Sequence, residues 1–243
     1  LPWHSSRWSA PTGAQLVQAI AEELAAGLSS VTSAREVLLE PRAIVANPES
    51  ARQMLSIMAR GITRLGALSQ VLRDLIDLAD LQQGKAACAQ TRVDVRQVVH
   101  RAVEEVGQPA VLFPTPFQVS LEGSAPVLSV DPVRVRRALV HLLALFQRAT
   151  NGASQVLVTG RPARGSYEIS IQARPASTDP AARGRVRSVR DEATETRERR
   201  GRYLALLVAH GYVSASGGQM RLEGSATGLR SVTCVLPVAP VAT

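Results

Sequence analysis

Between residues 14 and 40, apolar or small positions recur at alternating intervals of three and four: Val17, Ile20, Leu24, Gly27, Val31, Ala34 and Leu38. That spacing places one stripe along one face and predicts a heptad-patterned helix. Pro11 or Thr12 opens it, and Pro41 with the Asn47-Pro48 pair closes it, because proline lacks a helical donor and restricts the residue before it. A second helix is predicted over residues 49 to 82, where Leu55, Met58, Ile62, Leu65, Ser69, Leu72, Ile76 and Ala79 keep the alternation with Ser69 as the polar break. Two such helices joined by a short turn form an antiparallel hairpin, and one hairpin alone does not cover two apolar seams. A dimeric four-helix bundle is therefore expected, its seam formed by Val17, Ile20, Leu24, Val31, Leu38, Leu55, Met58, Ile62, Leu65, Leu72 and Ile76. The alternative is a hairpin packed against the rest of its own chain.

Beyond Gly84, which ends the second helix, the pattern changes. Asp94 is placed to cap a helix carrying Val98, Val99, Ala102, Val103 and Val106. Short alternating runs follow (FQVSLEG, VLSV), then a helix from Pro132 to Thr150 opened by Asp131-Pro132. SQVLVTGRP and YEISIQARP read as strands joined by a glycine-containing loop at 160 to 166, and a long polar loop is expected from 174 to about 200. RYLALLVAHGYVSASGG then reads as a helix, with MRLEG and RSVTCVLPV as a closing hairpin. The predicted class is α+β: a helical hairpin over residues 1–90, then an α/β sandwich with a mostly antiparallel sheet over residues 91–243.

Composition agrees with a folded chain. Of 243 residues 45% are hydrophobic, enough for a sizeable core, while aromatics at 3% leave few stacking platforms for nucleic acid. The net charge of +8 is dispersed, and the densest basic stretch, 183 to 202, contains Asp191, Glu192, Glu195 and Glu198, so it reads as a solvated segment. A basic nucleic-acid-binding module is the weakest alternative. Cys88 and Cys234 stand far apart without metal or disulfide spacing, which suits a reducing cytoplasm. No apolar run approaches the ~20 residues of a membrane span, and LPWHSSRW does not resemble a signal peptide.

Candidate chemistry is sparse. His4 is expected to be exposed, His100 partly buried and structural, and His210 settled near a helix C-terminus by the helix dipole. None of these, nor His141, has a partner at metal-ligand spacing, so no metal site is expected. Asp74, Asp77 and Asp80 read as a solvated helix face beside Arg73.

Several segments, in order, resemble the transmitter of two-component histidine kinases, and the resemblance covers nearly the whole chain. RDLIDLADLQQGK resembles the "L-I-x-D-L-L-x-L-S-R-L-E-x-G" end of the family's second hairpin helix. TRVDVRQVVHRAVEEV is similar to its "V-D-L-x-x-L-V-x-x-x-V" helix, and LSVDPVRVRRALVHLL to "x-A-D-x-x-R-L-x-Q-V-L-x-N-L-L". SGGQMRLEG and TCVLPV resemble the closing strands.

The resemblance implies a dimerisation hairpin followed by an ATPase-type sandwich, and it supplies positions at which to look for chemistry. The phosphoacceptor histidine position holds Glu22, whose carboxylate does not form a phosphoramidate; the neighbouring acid is retained as Glu23, and the phosphatase position holds Ala26. Of the two asparagines of the magnesium helix, His141 stands at the first and Leu145, which has no oxygen ligand for a hard cation, at the second. The adenine-binding aspartate aligns with Ala173 and its two glycines with Pro175 and Ser177. The phosphate turn aligns with GRYLAL, keeping Gly201 but placing Tyr203 and Ala205 at the other glycines. The expectation is a degenerate transmitter with no cofactor, acting as a dimeric scaffold for a response-regulator receiver domain that docks at Ala25, Ser29, Thr32 and Ser33. The alternative is a divergent active kinase or phosphotransferase that uses an unaligned histidine or the ATP domain of a partner.

Overall fold

The computed structural model describes residues 13–38, 48–107, 117–123, 127–150, 154–175, 192–225 and 228–239. The predicted helices appear as α1 (Gly13–Leu38) and α2 (Pro48–Gln82), and Gly84, at φ +69°, takes the left-handed conformation just past the end of α2. After them come β1 (Thr91–Asp94), α3 (Val95–Gly107), β2 (Phe117–Leu121), β3 (Val127–Val130), α4 (Pro132–Thr150), β4 (Ser154–Ala163), β5 (Ser166–Pro175), α5 (Glu192–Ala215), β6 (Gln219–Ser225) and β7 (Gly228–Pro237).

Two compact units divide these elements. The helical unit holds α1, α2 as far as Asp77, and Glu192–Leu204 of α5. Its core centres on Leu68 and Leu204, with Ile20, Leu24 and Val71 packed against them. Gly27 is buried where a Cβ would stand 2.7 Å from Leu65 Cδ2. Because Gly27 meets Leu65 while the earlier Ile20 and Leu24 share a core with the later Leu68 and Val71, α1 and α2 run antiparallel, as the heptads predict.

The second unit is a sandwich. Among the described residues a five-stranded sheet has the order β2-β4-β5-β7-β6, with β2 and β4 parallel and the other pairs antiparallel; β1 and β3 form a separate antiparallel pair. Helices α3 and α4 pack together, and α4 lies on β4 and β5. Alternation along the strands turns Val156, Val158, Tyr167, Ile169, Ile171, Val232, Cys234 and Leu236 inward, where all are buried. Burial of each such aliphatic side chain is worth about 1.5–3 kcal/mol, which makes this aliphatic core the main source of the unit's stability. Caps fix the helix starts: Asp94 Oδ1 accepts from Arg96 N at 2.8 Å, and Asp131 Oδ1 accepts from Val133 N at 3.1 Å and Arg134 N at 3.2 Å.

Three local expectations need correction. The β4–β5 connection is not a loop over 160 to 166 but a tight turn at Arg164-Gly165, with Gly165 at φ +68° and Ala163 paired to Ser166. The segment TRVD is a strand, because pairing with β3 satisfies a backbone whose own pattern is too short to signal one. Helix α5 begins at Glu192, so residues 192 to 200 are helical rather than loop. The run EATETRERRGR contains Glu195–Arg199 and Glu198–Arg202 at helical spacing of four, a pattern that also favours helix.

Candidate functional site

The phosphoacceptor position implied by the resemblance, Glu22, is half-buried on α1, and Gln18 Nε2 donates to its Oε1 at 2.9 Å. Glu23 and Ala26 lie on the same helix. Four residues around the helix from these, Ala25, Ser29, Thr32 and Ser33 are all exposed. Leu28, in their midst, is 55% exposed.

The seam positions separate into two sets. Ile20, Leu24, Val31, Met58, Leu65 and Leu72 are partly buried, whereas Val17, Leu55, Ile62 and Ile76 are more than half exposed. Leu55, Ile62, Ser69 and Ile76 succeed one another at steps of seven, so α2 carries a straight exposed stripe broken only by Ser69. The side chain of Leu38 lies outside the described residues.

The positions implied for a nucleotide site fall on α4, β5 and α5. His141 and Leu145, one turn apart, are both buried on α4, the helix that lies on β4 and β5. At the position the resemblance implies for a magnesium ligand, Leu145 offers hydrocarbon and no oxygen. Ala173 continues the inward-facing set Tyr167, Ile169 and Ile171, pairs with Val156, and is exposed at the far end of β5. Its methyl group accepts no hydrogen bond. Pro175 is the last residue of β5, and Ser177 lies outside the described residues.

Gly201, Tyr203 and Ala205 all lie within the uninterrupted helix α5. Inside a helix each backbone N–H is bonded to the carbonyl four residues earlier, so this segment has no free N–H groups with which to cradle an anion. Ala205 is buried, and partial burial of Tyr203 raises its hydroxyl above the ordinary pKa of 10.0 by desolvation. The free N–H groups of α5 belong to its first turn, Glu192 to Glu195, about two and a half turns before Gly201.

The remaining titratable candidates are placed differently from expectation. Asp74 is fully buried rather than on a solvated face, and its Oδ1 accepts from Gln70 Nε2 at 3.1 Å. Asp77 and Asp80 are half-buried. His100 is exposed, because α3 buries Val95, Val98, Val99, Ala102 and Val106 on its other side. For His210, desolvation lowers the pKa from 6.5, opposite to the expected stabilisation by a helix C-terminus. His4 lies outside the described residues. Among the described residues no three His, Cys, Asp or Glu side chains are grouped to hold a metal ion, and no helix is long and apolar enough to cross a membrane.

Sequence reasoning missed one polar cluster. Asp131 and Arg134, side chains 7% and 12% exposed, are paired at 2.8 Å and reach the backbone of residues 87 to 89. The Asp131-Pro132 dipeptide signalled the start of α4 but not the distant partner.

No protein-family model matches the chain. In sequence it is 27% identical over 180 residues to the sensor protein KdpD of Rathayibacter rathayi, an alignment covering 71% of this chain. The alignment spans only 20% of that relative's length. In structure, histidine kinase AdeS of Acinetobacter baumannii superposes with a TM-score of 0.55 at 12% identity, over 90% of this chain and 98% of that one. Histidine kinase ThkA, in its complex with the response regulator protein TrrA, gives a TM-score of 0.60 at 13% identity, over 93% of this chain and 62% of that one. These likenesses establish the arrangement of helical region and mixed-sheet domain as the histidine kinase fold.

Proposed function

From a chain that is histidine-kinase-like in sequence and has the histidine kinase transmitter fold, we propose a degenerate transmitter that dimerises and docks a signalling partner without transferring phosphate. The observation that carries this reading is the continuity of α5 through Gly201, Tyr203 and Ala205. A phosphate turn works by presenting unbonded N–H groups at the start of a helix. Here that start lies at Glu192, and the segment resembling the turn is bonded within the helix. The hydrocarbon of Leu145, the methyl of Ala173 and the carboxylate of Glu22 agree with it, since magnesium, adenine and phosphoryl group each lack their partner. The residues present do not fit magnesium-bound ATP, and no catalytic step is assigned.

Dimerisation is supported by the exposed stripe Leu55, Ile62 and Ile76 and by exposed Val17. Apolar residues in such a line are stabilised by a second copy of the hairpin. For the partner, the exposed set Ala25, Ser29, Thr32 and Ser33 around Leu28 offers a small-residue surface with one apolar knob, suited to a receiver domain. We place the module in the cytoplasm, where the free thiols Cys88 and Cys234 stay reduced.

Calorimetry with ATP and with ADP plus magnesium, paired with light scattering, tests this reading. The expected result is no heat of binding and a dimer mass, with receiver domains from the same cell retained on the immobilised protein. Binding of ATP, or a base-stable, acid-labile label on His4 or His100 after incubation with radiolabelled ATP, establishes the divergent phosphotransferase instead.

A further inference from the structure

The segment between α2 and β1, residues 83 to 90, has little apolar surface with which to hold its place. Gln83, Gly84, Lys85, Ala87, Ala89 and Gln90 are exposed, and Ala86 and Cys88 are half-buried. Its first part is tied back to α2, since Lys85 N and Ala86 N both donate to Asp80 O, at 2.8 and 3.2 Å. Its second part is held by two backbone groups flanking Cys88. Arg134 Nη1 donates to Ala87 O at 2.9 Å, and Ala89 N donates to Asp131 Oδ2 at 3.2 Å. Arg134 Nη1 also donates to Asp131 Oδ2 at 2.8 Å, in a pair largely sheltered from water. Charge-assisted bonds of this kind are the strong class, and shelter preserves them.

We propose that Asp131 and Arg134 form a latch, and that its opening releases this connector as a local unit while the sandwich stays folded. The carboxylate divides its work by atom. Oδ1 caps α4 through Val133 N and Arg134 N, whereas Oδ2 faces the connector. Directly after the connector, β1 pairs with β3 from Thr91↔Val130 to Asp94↔Val127, and Val130 is followed by Asp131. Residues 87 to 94 are therefore zipped against 127 to 134, and the latch stands at the end nearest α2. A short, exposed segment held by a few polar bonds belongs to the low-stability end of a fold, where local opening is expected. The latch thus sets whether residues 87 to 89 are held to the start of α4 or released from it.

Lys85 is the only lysine in the chain, so lysyl endopeptidase has one target, the Lys85–Ala86 bond. With Lys85 N and Ala86 N both bonded to Asp80 O, that bond lies in the bend that folds the connector back onto the end of α2, and cleavage of an extended segment requires the connector to open. Asp131→Ser keeps a capping oxygen for α4 but is too short to reach Ala89 or Arg134. Arg134→Gln leaves the cap untouched and removes the guanidinium from Ala87. Both variants of the full chain are expected to be cut at Lys85 at least about tenfold faster than the parent, with hydrogen-exchange protection of β5 and β7 unchanged. The latch is overturned by cleavage rates within twofold of the parent in both variants, or by loss of β5 and β7 protection in step with faster cleavage.

Discussion

The ring of Tyr167 lies directly over Gly160: a Cβ built on Gly160 would stand 2.7 Å from Tyr167 Cε1 and its hydroxyl oxygen, and 2.7 Å from Leu121 Cδ2. Tyr167 is fully buried, and its hydroxyl donates to Glu122 O at 3.0 Å, so the ring has nowhere to move. Gly160→Ala is therefore expected to destabilise the sandwich by about 1–3 kcal/mol, the usual cost of overpacking. Tyr167→Phe keeps the packing and loses one hydrogen bond to a residue that water reaches, a cost of about 1 kcal/mol. Urea unfolding of the two variants checks the order; a Gly160→Ala protein as stable as the parent contradicts it.

The exposed stripe on α2 predicts opposite effects of two substitutions. If a second copy covers Leu55, Ile62 and Ile76, Ile62→Ser removes about 1.5–3 kcal/mol of apolar burial per chain and weakens the dimer at least about tenfold. Ser69→Leu completes the stripe and tightens it. Sedimentation over a concentration series measures both, and a monomeric parent chain removes the premise.

His210 gives stability a pH dependence. Burial holds its folded pKa below 6.5, so the unfolded chain binds the proton more readily. This contribution is fully present above pH 6.5 and is lost as pH falls through the lowered folded value. Denaturant midpoints at pH 7.5 and 5 are expected to fall with pH, and His210→Gln to flatten that part of the dependence. An unchanged slope in the variant assigns the effect to other groups.

The two thiols are expected to react unequally. Burial pushes the Cys234 thiol up to about 12 and leaves it without solvent access, so it forms no thiolate at pH 8. Cys88 is half-buried in the latched connector. A thiol-specific chromogenic reagent should titrate one sulfhydryl in the native protein and two in denaturant, with Cys88 reacting faster in Arg134→Gln. Two fast native equivalents contradict the placement of Cys234.

Much of the fold was legible because its signals are local. The breaks at Gly84 and at Asp131-Pro132, the cap at Asp94 and the alternation in β4, β5 and β7 depend on residues a few positions apart. The start of α5 was not legible in the same way. Its first turns are polar and contribute no apolar stripe to read, although their glutamate and arginine spacing favours helix once the segment is weighed as one. The β1 strand escaped for a different reason, since four residues become a strand only when Val127 to Val130 lie beside them.

What the sequence alone determined is the set of side chains and their periodicity. It contains two heptad helices and an alternating sandwich, and the resemblance implies Glu22, Leu145 and Ala173 at the family's histidine, asparagine and aspartate positions. Tertiary structure decided which of the regular apolar positions face their own chain and which remain exposed, because periodicity defines a face but not what covers it. It also buried Asp74, lowered the pKa of His210, and brought Asp131 and Arg134 onto residues 87 to 89. The contacts of Asp131 and Arg134 join residues 42 and 47 positions apart, and burial is set by packing rather than by local spacing, so no local pattern encodes these outcomes. The uninterrupted course of α5 through Gly201 lies between the two, favoured by local charge spacing and fixed where Leu204 joins Leu68 in a shared core.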